Sequence, residues 1–153
     1  MMRLTEWIDH HAGATPGKTA IRFGNQDISY AALAQKVERL ASSLVASGVS
    51  RGNCVAWLGY NSPEMLALLF ACARLGAVHS VVLGGVAAEE LASRIDDAQP
   101  KVILSASCGI EAARVIAYKP LLDNALALAS HKPIATVILQ RPQLQAAMGP
   151  LDH

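Results

Sequence analysis

Aromatic side chains are scarce in this 153-residue chain, at 5% of the total, and charged ones make up only 16%, although 52% is hydrophobic. The apolar mass is therefore mostly aliphatic and rich in Ala and Leu. A mean hydropathy of +0.31 excludes the low-hydrophobicity, high-charge composition of a disordered chain. Excess charge of either sign is missing too: 13 basic against 12 acidic residues leave a formal +1. Such a balance provides no field for steering toward nucleic acid or an anionic membrane, and neither is expected as a partner. Cys54, Cys72 and Cys108 never form a CxxC pair. Neither a disulfide framework nor a zinc knuckle is supported, and they are expected as small buried hydrophobes. The longest apolar stretch, Met65–Ala73, is roughly half of the ~20 residues that cross a bilayer. Glu6 and Asp9 stand where a signal peptide needs a basic flank and an apolar core. A cytoplasmic protein is expected.

Familiar chemical motifs are also lacking. The histidines, His10, His11, His79, His131 and His153, have no metal-ligand spacing and no HExxH arrangement, and no serine sits in GxSxG. His79, on an apolar stretch, is expected as a satisfied core histidine. Ala12–Thr19 fits a relaxed phosphate-binding loop with Ala at the first glycine position. Its context is wrong, because a working loop follows a buried strand and opens a helix, whereas here a helix precedes and a strand follows. Asp96 and Asp97 are adjacent, so on a helix they point in different directions and cannot share a substrate as acid and base. A solvated helix end is expected there, with Arg94 near enough to pair with it. No catalytic and no metal-binding residue is assigned.

What is present is a regular alternation. Leu4, Trp7, Ile8 and His11 recur at helical spacing before a break at Gly13–Gly17, and two short strands flank Gly24-Asn25-Gln26. Ser29 caps a long helix with apolar residues at 30, 33, 37, 40, 44 and 45, stopped by Gly48. Asn53–Gly59 is a continuous apolar run suited to a strand buried on both faces. Ser62-Pro63-Glu64 is a cap, a first-turn proline and a first-turn acid, opening a helix that ends at Gly76. Further strands are predicted at 78–83, 101–106 and 134–139, with helices at 87–98 and 119–130. Strand–helix–strand units of this length predict an α/β fold with a mostly parallel sheet flanked by helices. One domain over 1–139 is expected, and 140–153, with two prolines, three glutamines and no period, reads as a loop or frayed tail. Gly84-Gly85 falls where a strand meets a helix, at the carboxyl end of a parallel strand where open α/β sheets bind ligands.

Several stretches in fixed order resemble the adenylate-forming superfamily of AMP-forming acyl-CoA synthetases, over about Trp7 to His131. Pro16–Ile21 followed by Ile28–Leu33 looks like the family's opening, and Arg51–Ala56 is similar to its Gly-Asp-basic-Val-Ala strand entry, with Asn53 and Cys54 as departures. Ala71–Val78 resembles its second core motif. His79–Val86, Arg94–Pro100 and Val115–Asp123 look most like acetyl-CoA and especially propionyl-CoA synthetases, whereas the first 50 residues are closer to a medium- or long-chain ligase.

The resemblance implies a partial N-terminal subdomain of an enzyme that uses ATP, Mg and CoA to convert a carboxylate to an acyl-adenylate and then to an acyl-CoA. It also implies Gly84, Gly85 and Arg114 as candidate CoA contacts. Where the short-chain synthetases carry a basic-small-small-basic stretch that meets the nucleotide phosphate of CoA, this chain has Glu111-Ala112-Ala113-Arg114. The family's phosphate loop, adenine- and ribose-binding segments and C-terminal catalytic lysine have no counterpart in these residues. A truncated synthetase, inactive in isolation, is therefore expected. The alternative is a non-catalytic interaction module, self-associating or completed by a complementary synthetase fragment.

Overall fold

The structure, a computed structural model, describes residues 2–153. The backbone forms two compact units: residues up to 52 together with 61–77, and 53–60 together with 78–153.

The first unit holds α1 (Leu4–Ala14), the antiparallel hairpin of β1 (Thr19–Phe23) and β2 (Gln26–Ser29), α2 (Tyr30–Ala46) and α3 (Pro63–Leu75). The Ser29 hydroxyl accepts the Ala32 N–H and that of Ser62 accepts the Met65 N–H, so both long helices begin where a serine satisfies an otherwise orphaned donor. Leu33, Val37, Ala41 and Leu44 on α2 are buried at steps of three and four, as are Ala67, Leu68, Ala71 and Cys72 on α3, with Ile8 from α1. Arg74 pairs with Asp9 at 2.7 Å and Lys36 with Glu64 at 3.3 Å. The stretch 12–19 runs from the last turns of α1 through a turn into β1, which is not the strand-to-helix setting of a phosphate loop.

The second unit is built on four parallel strands. In chain order it contains β3 (Cys54–Gly59), β4 (Val78–Leu83), α4 (Ala88–Ala98), β5 (Val102–Ala106), β6 (Cys108–Glu111), β7 (Arg114–Ala117), α5 (Lys119–Leu128) and β8 (Ala135–Leu139). The parallel order is β4-β3-β5-β8. Central β3 is buried at every residue after Cys54, which is why it reads as a continuous apolar run, and β5 is buried throughout, Ser105 included. Leu91, Ala92 and Ile95 of α4 and Leu122 and Ala125 of α5 pack with Leu58, Val82, Ile103 and Ile138 of the sheet. Cys72 and Cys108 are buried and Cys54 is half-buried, all as free thiols. No helix among the described residues is long and apolar enough to cross a membrane.

Four features depart from the sequence-based expectations. β6 and β7 form an unpredicted antiparallel hairpin in which Glu111 faces Arg114 across the two-residue turn Ala112-Ala113. β4 lies at the sheet edge, so His79 is exposed, not a core histidine, and Val78, Val81 and Leu83 are exposed beside it. Asp96 is not merely a solvated helix end: it accepts the backbone N–H of His131 at 2.7 Å, and this bond, with one from the Ser130 N–H, holds its carboxyl below the usual range. Arg94 pairs instead with Glu90, at 2.7 Å.

The stretch 140–153 contains no helix, and its end is tied down, not frayed. Asp152 bridges to Thr136 of β8, the Ile138 N–H donates to the His153 carbonyl, and the His153 N–H donates to the Thr136 carbonyl. Beneath this pairing the Lys119 ammonium, 7% exposed, sits 2.9 Å from the Asp152 carboxylate, 6% exposed, and 2.5 Å from Asp123. Burial alone would raise the Asp152 carboxyl, but hydrogen bonds from Thr136, Lys119 and the Gly149 N–H outweigh it and hold the group below its ordinary value.

Removing the Asp152 charge therefore leaves Lys119 buried with one carboxylate. Asp152→Asn is expected to lower the stability of the chain by about 1–3 kcal/mol in urea denaturation at pH 7. Because Asp152 titrates lower in the folded state than in the unfolded one, its contribution is complete above the unfolded value. It fades as pH falls through the folded value, so the difference between wild type and variant should shrink below about pH 4.

Candidate functional site

Because the four strands are parallel, their carboxyl ends share one edge, and the chain leaves that edge at Tyr60, Gly84, Ser107 and Gln140. This is the edge at which open α/β sheets present a crevice to ligands. The Gly84 N–H donates to the Gly59 carbonyl at 3.0 Å, which fixes the exit of β4 against that of β3. The Ser107 N–H donates to the Leu139 carbonyl at 2.9 Å, which does the same for β5 and β8.

Tyr118 organises the middle of this edge. It is 2% exposed, caps the N-terminus of α5, and its N–H donates to the Ser107 carbonyl. Its hydroxyl ends between two backbones: a Cβ built on Gly84 would lie 2.1 Å from the phenolic oxygen, and one on Gly109 would lie 2.0 Å from it. No side-chain carbon tolerates either distance, so residues 84 and 109 must be glycine while Tyr118 holds this position. The hydroxyl donates to Glu111 Oε1 at 3.5 Å. Burial raises the phenol above its ordinary value, the Glu111 charge adds to the effect, and Arg141 partly offsets it.

Gly85 differs from its neighbour. Its φ of +92° is a conformation that side chains rarely adopt, and the nearest atoms to a Cβ there would be the two Glu111 carboxylate oxygens, at 4.0 Å. The β6–β7 hairpin thus brings Glu111 to the turn between β4 and α4. Arg114 is the cross-strand partner of Glu111 and is exposed. All three sequence-predicted contacts therefore belong to one neighbourhood, Gly84 through Tyr118, Gly85 through Glu111, and Arg114 through its pairing with Glu111. They are not equivalent, because the face of Gly84 is filled by Tyr118 whereas Gly85 is exposed.

Two further residues complete the edge and escape sequence reasoning. The Arg141 guanidinium lies 4.1 Å from the centroid of the Tyr60 ring and donates to the Cys108 carbonyl at 3.0 Å, and its N–H donates to the Ser107 hydroxyl oxygen. Arg141 lies in the aperiodic stretch after β8, where periodicity carries no signal. The presence of Tyr118 beside a proline and a lysine hints only at a helix start. Among the described residues no three His, Cys, Asp or Glu side chains converge as a metal ion would require. The described residues therefore do not fit a Mg site.

Gly84→Ala is expected to cost about 1–3 kcal/mol by forcing Tyr118 out of its slot. In a Tyr118→Ala background the same change should cost about 1 kcal/mol less, a coupling measurable by a double-mutant cycle in urea. Strict additivity would show that Tyr118 is not what Gly84 accommodates.

Comparison with known proteins places this edge in context. The description of AMP-binding enzymes matches residues 8–149. Indoleacetate–CoA ligase of Aromatoleum aromaticum is 60% identical over 102 residues, covering 67% of this chain and 20% of its own length. Acyl-CoA synthetase short-chain family member 3, mitochondrial, of Mus musculus is 42% identical over 118 residues, covering 77% of this chain and 17% of its own length. Propionate–CoA ligase of Salmonella typhimurium is 41% identical over 113 residues, 74% of this chain and 18% of its own. The chain thus spans about a fifth of the length of the curated relatives it matches. The match begins within α1 and continues through the parallel sheet, the glycine turn after β4 and the hairpin, so this chain belongs to the family of AMP-binding enzymes.

Proposed function

We propose that these residues form part of an acyl-CoA synthetase of the acetate and propionate type and contribute one wall of its CoA crevice. Such an enzyme joins a carboxylate to CoA with ATP, through an acyl-adenylate. The observation that carries the reading is the turn after β4: Gly85, at φ +92°, is exposed at the carboxyl edge of the parallel sheet, next to the hairpin that bears Arg114. A glycine there lets an extended ligand lie close to the backbone, and an exposed guanidinium suits a phosphate. The names of the relatives, which include two CoA ligases and an acyl-CoA synthetase, support the same chemistry.

These residues position a ligand and exclude water from one side of it; nothing in the reading has them transfer a proton or form a covalent bond. The 153 residues alone are proposed not to adenylate a carboxylate, since they span only about a fifth of the relatives' length.

A second reading is favoured by β4 itself. Val78, Val81 and Leu83 are exposed on an edge strand without Lys, Pro, Asp or Glu to guard it. A complementary synthetase segment or another copy of the chain would find a strand to pair with there.

The test is calorimetric titration of the purified chain with CoA. Saturable binding is expected, weakened about fivefold by Arg114→Ala, the ~1 kcal/mol of an exposed charge pair. Carboxylate-dependent ATP–pyrophosphate exchange should be absent from the same sample. Absent CoA binding, together with dimers in size-exclusion chromatography that Val81→Lys dissolves, would favour the second reading.

A further inference from the structure

The strand order singles out a point on the carboxyl edge that the glycine turn does not occupy. In the order β4-β3-β5-β8 the chain steps from β3 outward to β4 on one side and from β5 outward to β8 on the other, so the connections reverse between β3 and β5. Crevices of open α/β sheets lie at such a reversal, outside the carboxyl ends of the two strands. Tyr60 leaves β3 there, and Ser107 and Cys108 follow β5.

Arg141 spans this point. Its guanidinium lies 4.1 Å from the Tyr60 ring centroid and spends one N–H on the Cys108 carbonyl, at 3.0 Å. Its backbone is pinned as well: the Arg141 N–H donates to the Ser107 hydroxyl at 2.9 Å, and that hydroxyl, on a fully buried serine, donates to the Leu144 carbonyl at 2.7 Å. The loop that carries Arg141 is closed on itself, because the Gln140 side-chain amide donates to the Ala146 carbonyl and accepts the Ala146 N–H, and Arg141 forms an antiparallel bridge with Leu144. One side chain is thereby held in one place. The guanidinium is half-buried, yet the ion pairs among the described residues all join other side chains. Such a cation is prepared for an anion, since its planar fork can meet two carboxylate oxygens at once and its ordering is already complete. A single positive charge balances a monoanion, whereas a dianion would leave a charge over.

We propose that the reversal between β3 and β5 is a second ligand site, in which Arg141 grips a small carboxylate against the Tyr60 ring. The site lies one strand away from the Gly85 turn, and the inference is independent of the CoA reading. Arg141 binds, Ser107 positions it, and no bond is made or broken.

The experiment titrates the isotopically labelled chain with sodium formate and, at matched ionic strength, with sodium chloride and sodium phosphate, following the Arg141 Nε–H and the Tyr60 and Cys108 amides by NMR. Formate is expected to move these signals together and to saturate at roughly 10–100 mM, the range of a single charge-assisted contact at an open site. Chloride should produce no saturable shift, and phosphate should bind more weakly than formate. Arg141→Gln should abolish the saturable response, and Arg141→Lys, which keeps the charge without the fork, should weaken it about fivefold. Thermal unfolding checks that both variants fold, and the wild-type signals decide the matter where one does not. Equal responses to formate and chloride, shifts confined to other parts of the chain, or a response that survives Arg141→Gln would overturn the site and leave Arg141 as a tie between its loop and the β6–β7 hairpin.

Discussion

The Tyr118 phenol can reach the edge of the sheet only because two backbones without side chains let it through, at Gly84 after β4 and at Gly109 in β6. That close approach fixes more than one side chain. It sets the start of α5 by placing the Tyr118 N–H on the Ser107 carbonyl, and it brings the β6–β7 hairpin against the β4–α4 turn through Glu111. Protein interiors are packed too densely for such a slot to be filled loosely. The turn at Gly85 and the hairpin that bears Arg114 are therefore positioned by a buried aromatic.

The neighbouring residue ties down the opposite side of α5. Lys119 is the first helical residue, an unfavourable place for a cation because the helix dipole and its unpaired N–H groups are positive there, and it is buried as well. Burial lowers the tendency of its amine to hold a proton, yet the hydrogen bonds to Asp123 and Asp152 more than reverse this, and the ammonium form is favoured. Without Asp152 the lysine would face both penalties with one carboxylate. The segment 149–153 is thus part of the electrostatic balance of the sheet, although nothing in its periodicity suggests an ordered element.

Much of the architecture was legible in the sequence because the deciding signals were local. Ser29 and Ser62 cap helices through their own hydroxyls, Pro63 opens α3, and β3 announces itself as an apolar run because both its faces are covered. The hairpin at 108–117 was illegible for an equally local reason. Its turn carries Ala-Ala where Asn-Gly or Gly-Gly would have declared the positive φ values, and the tertiary setting, not propensity, imposes the conformation. His79 was misread because an apolar run does not say whether a strand is central or at the edge, and strand order is a property of the whole sheet. At the candidate site the glycines and Arg114 could be found from position and resemblance, whereas Tyr118, Tyr60 and Arg141 acquire their roles only through contacts between residues far apart in the chain.

The two halves of the glycine pair show how close sequence and geometry can come while differing in meaning. Adjacent glycines at the end of a parallel strand suggest one feature, a backbone left bare for a ligand. The structure divides the labour: Gly84 is bare for Tyr118, and Gly85 is bare because the chain there adopts a conformation that other residues resist. Replacing either would damage the site for different physical reasons, a steric collision in the first case and backbone strain in the second. Only at Gly85 is the exposed face free to meet another molecule, and what it meets must accommodate the Glu111 carboxylate held beside it.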